Sequence, residues 1–239
     1  MKPPVTESVA FDIYGTLIDT GGISAMLEPD MGEQATLFAQ LWRQKQLEYS
    51  FRRGLMRHYR DFSLCTAQAL DYAALSFGLT LSEERREQLL AAYRKLPAFD
   101  DVVEGLNSAK AAGVRLYAFS NGTAPDIAQL LEHAGISHYF QDIISVDEVH
   151  SFKPDPAVYR HFLNRSASKN HEAWLVSANP FDVIGAATVG MQSIWLQRTP
   201  QSIMDPWEIG ATLTINRLTE IGSAITDWRE RQRSGTLPP

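Results

Sequence analysis

The chain is predicted to be an α/β protein, a doubly wound, mainly parallel Rossmann-like sheet carrying an inserted all-helical cap domain. Three observations predict it. From about residue 99 onward a helix-period stretch, a glycine and a short apolar run recur in that order. Strands that alternate with helices build parallel βαβ units, whose sheet is covered by helices on both faces. Residues 21–98 show helical periodicity with no strand between the periodic stretches. A single apolar run, ending at Asp12, stands before that helical block and has its sheet partners only after it.

The elements follow in chain order. The first strand is expected near residues 8–12 and leads into FDIYGTLID. Residues 32–56, 61–78 and 82–96 then carry three helix-period stretches. In FDDVVEGLNSAKAAGVRLYAFSNG, Asp100 or Asp101 is placed to cap a helix, Gly113 to end it, and VRLYAFS to form a buried strand. TAPDIAQLLEHAG repeats the unit with Gly135 as its stop, followed by DIISV; PDPAVYRHFLNRSA precedes AWLVSA, and FDVIGAATVG precedes QSIWLQ. Strands are therefore expected near 114–119, 142–146, 173–177, 192–196 and, more weakly patterned, 211–215. The expected domains are a Rossmann-like core of residues 1–20 and 99–239 and a helical cap of residues 21–98. The charged tail DWRERQRSGTLPP is expected to fray after the last helix.

Composition narrows the function. The chain has 239 residues, 44% of them hydrophobic, enough for a substantial core, and a formal net charge of −6 gives no electrostatic footprint for nucleic acid or an acidic membrane. The single cysteine, Cys65, makes no internal disulfide, and no Cys/His spacing suggests zinc. No apolar run approaches the roughly 20 residues that span a bilayer. A cytoplasmic protein with no membrane or nucleic-acid partner is expected.

Ligands of open α/β sheets bind beyond the carboxyl ends of the strands. Four short stretches fall there: Asp12-Ile13-Tyr14-Gly15-Thr16, Ser120-Asn121-Gly122, Lys153-Pro154-Asp155, and Ser177-Ala178-Asn179-Pro180-Phe181-Asp182. Together they bring a nucleophile or base, hydroxyl and amide donors, a cation and a second acid to one edge. Taken alone, an aspartate ending a strand is usually a turn former and Ser-Asn-Gly a common turn. It is the set, in this order, that points to chemistry.

In the order and residue types of these stretches the chain resembles the haloacid dehalogenase superfamily. In LWRQKQLEY at residues 41–49, SNGT, SVDEVHSFKPDPAVY and VSANPFDVIGA it resembles the L-2-haloacid dehalogenase (type II) branch, from about residue 7 to about residue 215. The resemblance implies a nucleophilic Asp12, a central position for its strand, and hydrolytic dehalogenation of short (S)-2-haloalkanoic acids to (R)-2-hydroxy acids without a cofactor or metal. It implies that Ser120 binds the substrate carboxylate, helped by backbone N–H groups of the turn that begins at Ile13. It further implies that Arg43, with Asn121 and Phe181, cradles the departing halide, that Tyr14, Gln44, Leu47, Phe62 and Tyr159 line the pocket, and that two copies form a homodimer.

The chemistry stands beside that resemblance. A carboxylate attacks carbon well only when stripped of water and kept ionised by a nearby positive charge. Lys153 is the only cation among the four stretches. Water must then attack the resulting ester, with Asp182 or Lys153 activating it, and Thr16, Ser177 and Asn179 are candidates to hold the acids and the water. Phosphatases of the superfamily carry a second aspartate two places after the nucleophile. Here Tyr14 stands there, and a phenol is a poor general acid at neutral pH and a poor ligand for a hard cation. Halide leaves without a proton, so the tyrosine points to displacement at carbon. Ala178, where a second serine is common, and Gly21-Gly22 at the cap junction depart from the branch pattern. A Mg²⁺-dependent phosphatase, the same mechanism on fluoroacetate or strained-ring amino acids, and a silent binding protein remain as alternatives.

Overall fold

The computed structural model describes residues 6–235. Its strands are β1 (Ser8–Phe11), β2 (Arg115–Ser120), β3 (Asp142–Ser145), β4 (Ala173–Ser177), β5 (Gln192–Leu196) and β6 (Leu213–Ile215). They form one sheet in the order β3-β2-β1-β4-β5-β6, and every neighbouring pair is parallel. All residues of β1 and β4 are buried, which is why these strands read as unbroken apolar runs. The order reverses between β1 and β4, the crevice where doubly wound sheets hold ligands. Phe11 lies level with Ala118 on one side and Val176 on the other. Asp12 thus leaves the sheet beside Phe119 and Ser177.

Between β1 and β2 come α1 (Gly22–Met31), α2 (Ala35–Leu55), α3 (Phe62–Ser76), α4 (Glu83–Ala92) and α5 (Val102–Ala111). The first of these is not among the periodic stretches of the sequence. Pro29 lies inside it and cannot donate a helical hydrogen bond, and no side chain caps its start. Packing supplies what propensity lacks, since Ile23 and Leu27, one turn apart, are both buried. In α2, Phe38, Trp42, Gln46 and Ser50 recur every four residues as the buried stripe.

The rest of the chain provides α6 (Ala124–His133), α7 (Pro156–Arg165), α8 (Pro180–Thr188) and α9 (Ile221–Ser234). Thr123 caps α6 by accepting the Asp126 N–H, and Asp155 caps α7 by accepting that of Ala157. Gly113 and Gly135, at φ of 75° and 71°, take the left-handed turn past α5 and α6 that a side chain would resist. The segment DWRERQRS belongs to α9, where Trp228 packs on Trp174 with ring centroids 5.8 Å apart. The expected fraying falls on residues 236–239, outside the described residues. Among the described residues no helix is long and apolar enough to cross a membrane.

Asp101 stands at the start of α5 but makes no side-chain cap. Its carboxylate instead accepts two bonds from Arg198 at 2.7 and 2.8 Å and the Leu218 N–H at 2.7 Å. Arg198 also donates from Nε to the Thr16 carbonyl at 3.1 Å and lies 4.1 Å over the Phe99 ring. One partly buried ion pair thereby ties the loop after β1 to the start of α5 and to the segment after β6. Arg198→Ala is expected to strand the Asp101 carboxylate, which is 2% exposed. The loss should be about 3 kcal/mol, read from the urea unfolding midpoint, because one-sided removal leaves a buried charge unpaired.

Candidate active site

The loop after β1 folds back on itself, with Leu17 and Ile18 donating their N–H groups to the carbonyl of the fully buried Ile13. This turn holds Asp12 at the mouth of the β1/β4 crevice, and the two oxygens of its carboxylate meet different surroundings. Oδ2 accepts from Thr16 Oγ1 at 2.7 Å, Asn179 Nδ2 at 2.7 Å and Ser177 Oγ at 3.1 Å. Among the described residues Oδ1 accepts only from Lys153 Nζ, at 3.0 Å. The two hydroxyls are committed as donors to Asp12 because each receives a backbone N–H, Thr16 from Ala178 at 2.9 Å and Ser177 from Asn179 at 3.1 Å. What position 178 supplies to this arrangement is therefore its backbone.

Lys153 is buried and spends its three protons on Asp12, on Asp182 Oδ2 at 2.8 Å and on the Phe119 carbonyl at 3.0 Å. Asp182, in the first turn of α8, is fully buried, and its other oxygen accepts the Tyr159 hydroxyl at 2.8 Å. Burial works against the charge of Asp12, but the Lys153 ammonium and donation from Thr16 outweigh it, and the carboxyl is held below its ordinary range. Burial likewise disfavours the Lys153 ammonium, yet Asp12 and Asp182 raise its pKa above the usual lysine value. Burial pushes Asp182 up to about 6, against the charge of Lys153 and with help from that of Asp12. Tyr14 is raised as well, chiefly by burial, and stays a neutral phenol at neutral pH.

A cavity of about 10 Å³, the space of a single water, sits against this centre. Asp12, Lys153, Ser120, Asn121 and Asn179 face it from the strand ends, and Arg43, Leu47, Phe62, Phe181 and Tyr14 surround the remainder. Ser120 Oγ accepts the Gly122 N–H at 3.1 Å, which leaves its proton for an anion. Asn121 Oδ1 accepts the Lys153 N–H at 3.0 Å, so its remaining donor is its NH₂. Two larger cavities adjoin, one of about 570 Å³ that shares Tyr14 and Phe62, the other of about 530 Å³ that shares Arg43 and Leu47.

The donor set suits an organic anion better than a metal. The Lys153 ammonium already stands between the two carboxylates, and the described residues hold no cluster of three or more His, Cys, Asp or Glu side chains able to take a cation.

A family profile described as haloacid dehalogenase-like hydrolase matches residues 6–190. The chain belongs to the haloacid dehalogenase-like hydrolases. It is 38% identical over 192 residues, 80% of this chain and 85% of the relative, to (S)-2-haloacid dehalogenase 1 of Pseudomonas sp. strain CBS-3. It is 32% identical to the (S)-2-haloacid dehalogenase of Pseudomonas sp. strain YL, covering 90% of this chain and 94% of that one. The structure of L-2-haloacid dehalogenase from Xanthobacter autotrophicus with chloropropionic acid covalently bound superposes with a TM-score of 0.87 at 27% identity, over 92% of this chain and 98% of that one.

Two residues expected at the pocket of this haloacid dehalogenase-like hydrolase stand away from the small cavity. Gln44 is exposed and lines the 530 Å³ cavity, because it falls off the buried stripe of α2. Tyr159 lies behind the centre and holds Asp182. Two polar residues that the sequence motifs do not single out also belong to the surroundings. Gln46 is buried and accepts from Arg43 Nη1 at 2.6 Å, and its place on the four-residue stripe from Phe38 to Ser50 is the signal that marks it. Arg198 reaches Thr16 and Asp101 across the fold, and nothing local in the sequence announces it.

Proposed function

We propose that the protein hydrolyses short (S)-2-haloalkanoic acids to (R)-2-hydroxy acids and halide through an ester on Asp12, without a cofactor or metal. The carrying observation is that an ammonium, Lys153, joins Asp12 to Asp182 at the edge of an aromatic-lined cavity where Tyr14 takes the place of a second acid. The names of the relatives support the same reaction class.

Asp12 Oδ1 is the nucleophile, since Oδ2 is saturated by three donors. It attacks C2 opposite the halogen, so the C–O bond forms as the C–X pair leaves on halide. Ser120, helped by the backbone N–H groups of the turn that begins at Ile13, holds the substrate carboxylate, and Arg43, Asn121 and the ring of Phe181 receive the departing halide. Tyr14, Leu47 and Phe62 exclude water around C2. Water then adds to the Asp12 carbonyl carbon and gives its proton to Asp182, directly or by way of Lys153. The negative charge that develops falls on Oδ2, where Thr16, Ser177 and Asn179 already point their donors. Collapse breaks the bond between the carbonyl carbon and the oxygen carried by C2, and that oxygen takes a proton as the hydroxy acid leaves. C2 is attacked once, hence inversion.

Residues 21–98 act as a cap that opens to admit a haloacid, which the space of about 10 Å³ beside Asp12 does not hold. Tyr59, in the loop before α3, bonds Asp147 at 2.6 Å, and Arg94, just past α4, pairs with Asp126 at 2.8 Å. Both contacts would break on opening. Cytoplasmic placement accords with the lone, buried Cys65. A homodimer through α2 and α3 accords with Leu37 and Leu75, which are 59% and 82% exposed, and light scattering at several concentrations checks it.

Halide release from (S)-2-chloropropionate is expected in the presence of EDTA, with no hydrolysis of an aryl phosphate in Mg²⁺. The reverse pattern overturns this assignment in favour of a phosphatase.

A further inference from the structure

We infer that Gln46 is a positioning residue that aims the Arg43 guanidinium at the anion site without cancelling its charge, an inference that rests on the halide role proposed for Arg43. Gln46 is 1% exposed, and a primary amide is costly to bury unless both of its ends are bonded. Both are. Its Oε1 accepts Arg43 Nη1 at 2.6 Å, and its Nε2 donates to Thr66 Oγ1 at 2.5 Å.

The amide has one way round. The Thr66 hydroxyl donates to the Phe62 carbonyl at 2.9 Å, so its oxygen is left to accept, and it takes the Nε2 of Gln46. Oε1 must then face Arg43. Through this chain an arginine on α2 is fixed to α3, the helix that also brings Phe62 to the cavity. Trp42, next to Arg43, reinforces the link by donating its Nε1–H to the Thr66 carbonyl at 2.8 Å.

Without Gln46 the arginine has somewhere else to go. Arg43 borders both the small cavity and the 530 Å³ cavity beside it, and a long side chain released from one bond recovers rotamer freedom in the larger space. The neutrality of the amide matters equally. A carboxylate at position 46 would form a buried ion pair with Arg43 and neutralise the charge meant for a halide, and its second oxygen would face a Thr66 hydroxyl whose proton is committed elsewhere.

A double-mutant cycle tests the inference, with bromide binding by calorimetry and kcat and KM for (S)-2-chloropropionate as readouts. Gln46→Met is expected to weaken bromide about tenfold or more, the size of a lost hydrogen bond to a charged group. Gln46→Glu should weaken it at least as much despite matching the amide in shape, an order that a purely structural role would reverse. In an Arg43→Ala background, Gln46→Met should add less than about twofold. Full additivity, unchanged bromide binding in Gln46→Met, or unchanged bromide binding in Arg43→Ala each overturns the inference. If the wild type binds bromide through Arg43 but releases no halide from any haloacid, the proposed reaction fails while the bromide cycle still decides the role of Gln46.

Discussion

Asp12→Asn is expected to lower halide release from (S)-2-chloropropionate by about 10⁴-fold or more, the scale on which removal of a covalent nucleophile acts. The amide matches the carboxylate in shape, so the loss reports chemistry. It also places the amide in conflict with its neighbours. If its NH₂ takes the place of Oδ2 it meets three committed donors, and if it takes the place of Oδ1 it meets the Lys153 ammonium. The second is the lesser conflict, because a single flexible lysine can retreat toward Asp182 at 2.8 Å. A thermal melt separates any folding defect from the catalytic one. In single-turnover reactions of the wild type in heavy-oxygen water, label should enter Asp12, since water attacks its carbonyl carbon. Retention of more than about a hundredth of the activity by Asp12→Asn, or label appearing only in the hydroxy acid, would falsify the nucleophile assignment.

The features that make Asp12 readable are local ones. β1 and β4 are buried on both faces and therefore read as apolar runs, so the acid directly after β1, Asp12, and the polar stretch at the end of β4 that runs from Ser177 to Asp182 stand out from sequence alone. The helices α6 and α7 carry their caps, Thr123 and Asp155, inside the same short stretches that hold Ser120 and Lys153. What the sequence conceals is either anti-propensity or long-range. The first cap helix hides because Pro29 breaks its pattern while burial of Ile23 and Leu27 sustains it. Tyr159 and Asp182 are 23 positions apart and Asp101 and Arg198 are 97 apart, and only the crossovers of the sheet bring either pair together. Asp101 looks like a helix cap from its neighbours, yet it serves a distant arginine. Gln44 and Gln46 differ only in helical phase, and that phase turns one toward solvent and buries the other.

Asp182→Asn is expected to let the ester form and stop it there, so that one equivalent of halide is released and intact-mass analysis finds the protein carrying one propionate unit. The two halves of the reaction draw on different groups. Alkylation needs an ionised Asp12, which Lys153 and Thr16 keep below the ordinary carboxylate range, and an amide at 182 removes a neighbouring negative charge, which favours that ionised form. Hydrolysis needs a proton acceptor, and an amide at 182 is none; a loss of about 10²- to 10⁴-fold in the second step is the usual scale for a general base. The wild-type pH profile should divide in the same way. In the free enzyme Asp182 is poised at about 6, so it is ionised above that value and protonated below. Esterification removes the charge of Asp12, one of the influences that raise Asp182, while Lys153 remains to lower it. The acid limb of ester hydrolysis must therefore lie below the value of the free enzyme, and as pH falls through that limb the ester should accumulate while the halide burst persists. A burst that disappears together with hydrolysis would mean that Asp182 is needed for the attack on carbon, and the division of labour between the two acids would have to be redrawn.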